Sequence, residues 1–207
     1  MIKPLLSVLL LCMSTCAAAT TITIKNANNQ PLANAVVWLS GASIQAGNQE
    51  SKTYAMSQQN REFTPRTLVV PQNAKVEFPN ADSIMHHVYS FSKAKTFELK
   101  LYKEQPKAPI TFDQTGVVEL GCNIHHWMLG YIVVVDSTVF AITDDNGKVN
   151  LTAPNGQYSM SVWHSGFSDI SNVETHSVNV SDSPIHYTVK QAIAEQIDFA
   201  TDEFDDY

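Results

Sequence analysis

Cysteine is scarce in this sequence: three residues in 207, at Cys12, Cys16 and Cys122. Charge is scarce too, at 16% of residues, and Lys plus Arg number 13 against 20 Asp plus Glu, giving a net charge of -7. With no basic stripe to displace counterions from phosphates, nucleic-acid binding is excluded. Hydrophobic residues reach 44%, enough for a packed core and too many for wholesale disorder. After the first segment no apolar run is long enough to span a bilayer. Neither a Ser/His/Asp arrangement nor a pair of carboxylates suggests hydrolytic catalysis.

The first nineteen residues hold the one long apolar stretch. Lys3 precedes "LLSVLLLCM", and Ala17 to Ala19 supply small residues for cleavage. This pattern predicts an export signal over 1–19, a mature chain from Thr20 and a periplasmic location. A lipoprotein would acylate Cys16, but "MSTC" is a poor small-residue lipobox. Cleavage removes Cys12 and Cys16 and leaves Cys122 alone. A single thiol in an oxidising compartment forms no internal disulfide. It is buried and inert, paired with another chain, catalytic, or held by a metal.

Almost every later segment reads as strand. "TITIK", "NAVVWLS", "RTLVV", "HHVYSFS", "KTFELKLY", "GVVEL", "GYIVVVD", "VNLTA", "QYSMSVW" and "THSVNV" are rich in β-branched and aromatic residues, with Pro, Gly and Asn between them. Turns about every eight to twelve residues predict an all-β protein of sandwich type. Only "QAIAEQIDFA", from Gln191, has helical character, and 191–207 reads as an acidic tail. "DDNGK" lacks the spaced acidic ligands of a calcium loop and predicts a hairpin turn.

The strands are too many for one seven-stranded sandwich, so a seam is expected. "ITIKNANNQPLANAVVWL" and "TVFAITDDNGKVNLTAPNGQYSMSVWHSGF" resemble the opening and the later part of carboxypeptidase regulatory-like β-sandwich modules. The resemblance implies one small sandwich built from both chain ends, 20–48 with 137–190, and a second domain, 49–136, inserted between them. Two sandwiches in tandem are the alternative.

"GCNIHHWMLGY", residues 121–131, carries the chemistry. Cys122, His125 and Met128 are spaced Cys-x2-His-x2-Met, and a second histidine pair, His86-His87, lies upstream. Neighbours on a strand point to opposite faces, so one metal does not take both members of a pair. One histidine from each region, a thiolate and a thioether make a poor zinc site. They suit copper, which takes thiolate and imidazoles in a trigonal plane with a weak axial thioether. Cys122 as a plain buried hydrophobe and Met128 as mere packing beside Trp127 are the competing readings.

"VEFPNADSIMHHVYS" and "FDQTGVVELGCNIHHWMLGYIVVVD" resemble the copper-binding half of cupredoxins, the plastocyanin and amicyanin class. The short ligand loop matches amicyanin spacing. Still more similar are exported cupredoxin-like proteins often labelled methylamine-utilisation proteins, which share "HHVYSFS" and the "CNIH", "WM" and "GYI" elements. The resemblance covers Phe63 to Asp136. It implies a Greek-key sandwich holding one type 1 copper ion on His86, Cys122, His125 and Met128. His87 takes the place of an asparagine that normally braces the ligand loop, and it is the fallback ligand. Asn123 and His126 flank the site, with His126 where related loops carry proline. The implied function is a blue copper electron carrier, not an enzyme, exchanging single electrons with a partner such as a cytochrome or dehydrogenase. Copper storage, delivery or sensing without redox turnover is the alternative. His164, His176 and His186 fall in the other sandwich and read as structural or solvated.

Overall fold

The computed structural model describes residues 17–44, 52–104, 106 and 108–194. Most of the expected export signal, and the C-terminal stretch from residue 195, lie outside the described residues. Within them every regular element is a β-strand.

Two strands precede the middle of the chain, β1 (Ala17–Lys25) and β2 (Val36–Ser40). Five follow it: β13 (Phe140–Ile142), β14 (Lys148–Pro154), β15 (Gly156–Trp163), β16 (Glu174–Val180) and β17 (Ile185–Thr188). These early and late strands pair with one another in the orders β14-β1-β17 and β13-β2-β15-β16. The middle supplies β3 (Thr53–Ala55), β4 (Ser57–Gln59), β5 (Glu62–Thr64), β6 (Thr67–Pro71), β7 (Ala74–Glu77), β8 (His86–Ser92), β9 (Lys95–Tyr102), β10 (Ile110–Phe112), β11 (Gly116–Gly121) and β12 (Leu129–Val135). They form the sheets β10-β7-β3 and β6-β12-β11-β8-β9 and the hairpin β4-β5. Among the described residues no sheet mixes strands of the two groups.

The sequence pattern shows why. β14 alternates, with Val149, Leu151 and Ala153 inward and polar residues outward, as a strand with one wet face must. β12 does not alternate, and from Gly130 to Val135 it is buried throughout. Ile132 and Val134 join the apolar cluster between the two middle sheets. Tyr131, Val133 and Val135 join a second cluster with Ile22, Trp38 and Trp163 from the early and late strands. The five-stranded sheet is thus covered on both faces, and a strand at its centre reads as one apolar run. Asp136, just past β12, accepts hydrogen bonds from Trp38 Nε1 at 3.2 Å and Ser40 Oγ at 2.7 Å, tying the two groups together.

"DDNGK" closes as a turn on its own backbone, with Asp144 Oδ1 accepting from the N–H groups of Asn146 (2.9 Å) and Lys148 (2.8 Å). Gly147 there has φ 68, and a Cβ would come within 2.4 Å of Ile24 O. Expected helicity from Gln191 is not found over residues 191–194, where Ile193 instead bridges Phe167 in an antiparallel pair. Ala194 N–H donates to Gly166 O at 2.8 Å, and Ile193 packs on the large cluster. Burial of that isoleucine outweighs the modest helix propensity of the stretch.

His164 is buried and fully satisfied. Its Nδ1 accepts from Gly166 N–H at 2.9 Å, and its Nε2 donates to Ala33 O at 3.1 Å. That arrangement requires the neutral ring, because a proton on Nδ1 would face the Gly166 N–H. Burial accordingly holds His164 below the ordinary imidazole value of 6.5, with only partial opposition from the Ala33 bond. The unfolded chain then binds a proton that the folded chain refuses. This contribution to stability is present above about pH 6.5 and is lost as pH falls below it. Denaturation midpoints between pH 8 and 5 should fall in the wild type. They should fall less steeply in His164→Gln, and an equal slope in both would disprove the assignment.

Candidate metal centre

Two adjacent strands present the ligand loop. β11 ends at Gly121 and pairs antiparallel with β12, Gly121 opposite Leu129, so residues 122–128 form the connection between them. β11 also pairs with β8 through Gly121 and Tyr89, which brings the start of β8 alongside that loop. Gly121 is required by close approach, since a Cβ there would lie 2.6 Å from the Tyr89 ring. Gly130 is constrained in the same way by Phe63, at 2.8 Å.

The ligand atoms of His86, Cys122 and His125 all lie within 4.8 Å of one another. Cys122 Sγ is 3.9 Å from His125 Nδ1, and the His86 and His125 rings are 4.9 Å apart, centre to centre. Among the described residues this is the only such group of metal-binding side chains. Cys122 is a free, buried thiol, Met128 is buried in the same apolar cluster, and its N–H donates to His125 O at 3.0 Å. His125 is half-buried, while Asn123 and His126 are exposed.

The two histidines of the upstream pair diverge. His86 is completely buried and enters the group with Cys122 and His125. His87, also buried, turns its Nε2 to Glu98 Oε1 at 2.9 Å, with Asn123 Nδ2 3.4 Å away. A register irregularity in the β8-β9 ladder falls between His86 and Val88. A bulge there re-aims side chains, as bulges beside functional sites do. The Asn123 contact links the ligand loop to β8 through His87, which is where a bracing residue would act.

The residues fit a metal. His86 Nε2 lies 2.7 Å from Asp82 Oδ2, while its Nδ1 is buried with no hydrogen-bond partner. A buried polar nitrogen left unpaired costs about 1–3 kcal/mol, a cost that a bound cation removes. Burial first, then the nearby His86 and Arg61, lower the pKa of His125 despite opposition from Asp82. A shift in that direction favours the uncharged ring, the form that can donate to a metal. Exposed apolar residues, Ile84, Met85, Ile124 and Trp127, flank the three donors in sequence beside exposed Asn123 and His126, and the Trp127 ring lies 5.3 Å from that of His125.

Sequence reasoning missed four neighbours. Asp82 stands four residues before His86 in a loop, where no periodicity marks it. Gln58, fully buried, hydrogen-bonds the hydroxyl of Tyr102, and Tyr102 pairs with His86 across the β8-β9 ladder. The Tyr102 hydroxyl is pushed up to about 12 by burial, with the charge of Cys122 adding to the rise and the Gln58 bond opposing it. Glu98, the partner of His87, lies in "KTFELKLY", which was read only as a strand. Its alternation was legible, but its register against His87 was not.

No family model matches the chain, and no curated protein matches it. Solved structures do. A purple cupredoxin from Nitrosopumilus maritimus is 20% identical over 40% of this chain and 99% of its own, with a TM-score of 0.35. An amicyanin variant in its reduced Cu(I) form at pH 4 is 19% identical over 48% of this chain and 98% of its own, with a TM-score of 0.38. A copper-containing nitrite reductase from Thermus scotoductus is 22% identical over 46% of this chain but only 25% of its own, with a TM-score of 0.39.

Proposed function

We propose that this chain is an exported type 1 copper protein of the cupredoxin kind that carries single electrons in the periplasm. The observation that carries the proposal is the convergence of a buried thiol and two imidazoles within 4.8 Å, one of them with an orphaned buried Nδ1. His86, Cys122 and His125 would hold the ion and Met128 would supply the weak axial donor, a set that suits copper rather than zinc. When bound, copper supplies one-electron chemistry between Cu(I) and Cu(II).

The protein's part is rigidity and access. Three of the four donors lie on one loop pinned by paired strands, so the ligand positions need change little when the charge does. His125 is the half-buried member, beside Trp127 and the apolar residues Ile84, Met85 and Ile124. Electrons pass most directly through that edge, where a cytochrome or dehydrogenase docks by apolar contact. The net charge of -7 contributes longer-range, salt-sensitive steering. The strands at the two chain ends form the regulatory-like sandwich, which supports the outer face of the five-stranded sheet. The chain acts as a carrier, not a catalyst.

Metal analysis and an absorption spectrum of the purified protein test this reading. One copper per chain with an intense thiolate-to-Cu(II) band supports it. A colourless Cu(II) form transfers the function to copper storage or delivery. His86→Ala and His87→Ala, made side by side, test the ligand. The first loses stoichiometric copper, whereas the second keeps it with affinity weakened by about 10–100-fold at most, as for a residue that braces ligands. The reverse outcome would move the ligand to His87.

A further inference from the structure

The contacts of Asp82 assign it a role that extends the reading just given. We propose that Asp82 is a positioning residue for His86, holding the ring proton on Nε2 so that Nδ1 faces Cys122 and His125, and strengthening that nitrogen as a donor to Cu(II).

Neutral imidazole carries one proton on either nitrogen, and the partner of one nitrogen decides which. Nε2 of His86 lies 2.7 Å from Asp82 Oδ2. The same carboxylate accepts from two backbone donors, Asn60 N–H on Oδ1 at 2.7 Å and Arg61 N–H on Oδ2 at 2.9 Å. Its own backbone N–H donates to Asn80 Oδ1 at 2.9 Å. A carboxylate receiving this many donors is an acceptor, so the proton between the side chains belongs to Nε2. Nδ1 is left with a lone pair, and it is this atom that is buried without a partner.

The anchoring hairpin is shaped for the task. β4 and β5 pair from Ser57 opposite Thr64 to Gln59 opposite Glu62, which leaves Asn60 and Arg61 as a two-residue turn. Both have positive φ, 55 and 59, the turn type that fits a twisted hairpin and directs successive N–H groups to one side. The hairpin is itself docked on the loop that bears Asp82, through Gln58 N–H to Pro79 O at 2.9 Å and Ala81 N–H to Gln58 O at 2.8 Å. Through Asp82, a segment twenty or more residues upstream thereby helps to fix the orientation of His86. A carboxylate on the far nitrogen of a ligating histidine raises its basicity, and such partners typically alter metal affinity by 10–100-fold. The stronger donor favours the more highly charged ion.

Two measurements test the inference, one of which needs no metal. In 15N-labelled, metal-free full-length protein at about pH 8.5, above the imidazole range, long-range 1H–15N spectra should show His86 protonated on Nε2. In Asp82→Ala a fraction protonated on Nδ1 should appear. A wild-type ring protonated on Nδ1, or an unchanged ring in Asp82→Ala, overturns the proposal. Asp82→Asn keeps the volume and loses the charge, so it remains a test should Asp82→Ala fold poorly. In its copper-loaded form the ratio of Cu(II) to Cu(I) affinity should fall about tenfold. That fall equals a rise in potential of about 59 mV for one electron. An unchanged potential overturns the donor-strengthening half. If the wild type takes up no copper the proposed function fails, and the metal-free spectra still decide whether Asp82 sets the ring.

Discussion

Cys122→Ser is expected to remove outright the intense visible absorption that the proposed copper site predicts, while the chain stays folded. The band belongs to charge transfer from thiolate sulfur, and no other sulfur in the group could replace it, because a thioether carries no charge. A serine hydroxyl remains protonated at neutral pH and is a poor donor to copper. The substitution is small in volume, so the cost to the fold is polar burial. Cys122 is 2% exposed, and burying a hydroxyl without a partner costs about 1–3 kcal/mol in protein mutational data. Set against a total stability of about 5–15 kcal/mol, that leaves a folded protein. Far-ultraviolet circular dichroism and a denaturation curve check the fold, and the visible spectrum checks the ligand. Retained colour would remove Cys122 from the site and leave the thiol as ordinary packing.

How much of this was legible in the sequence depended on whether the information was local. β14 shows its inward residues in simple alternation, and the Cys-x2-His-x2-Met spacing shows three candidate donors on one loop, because both patterns lie within a few consecutive residues. β12 could be recognised as a strand, but not as one covered on both faces. That depends on Trp38 and Trp163, which reach it from opposite ends of the chain. His86 and His87 illustrate the limit more sharply. Alternation says that the two diverge but not which one lies with Cys122 and His125; His86 does, beside a ladder irregularity, while His87 turns to Glu98 on β9. Asp82 was invisible for a similar reason. The role proposed for it depends on a turn at Asn60 and Arg61, and neither the turn nor its contact with residue 82 leaves a periodic trace. At the C-terminal side, "QAIA" has the composition of a helix, but a bridge from the half-buried Ile193 to Phe167 holds these residues extended.

Trp163→Ala is expected to lower stability more than any ligand substitution while leaving the colour of the copper-loaded protein intact. Trp163 is completely buried at the end of β15, opposite Val36 of β2, and its ring lies 5.2 Å from that of Tyr131 on β12. Its indole N–H donates to Ile170 O at 2.7 Å. Truncation removes one of the two tryptophans of the cluster that joins the outer strands to the five-stranded sheet, the fully buried one. It also strands a carbonyl that has lost its donor. Losses for buried tryptophan are about 3–5 kcal/mol, roughly a fifth or more of what a domain of ordinary stability has available. The copper band should nevertheless persist, because Tyr131 and Ile132 face opposite clusters, and Cys122 and Met128 lie with Ile132. Urea midpoints read by tryptophan fluorescence and by the visible band should both shift down in the variant, and the band should keep its position below the transition. A displaced band would mean that the outer strands shape the ligand loop through β12. An unshifted midpoint would mean that the two apolar clusters are energetically independent.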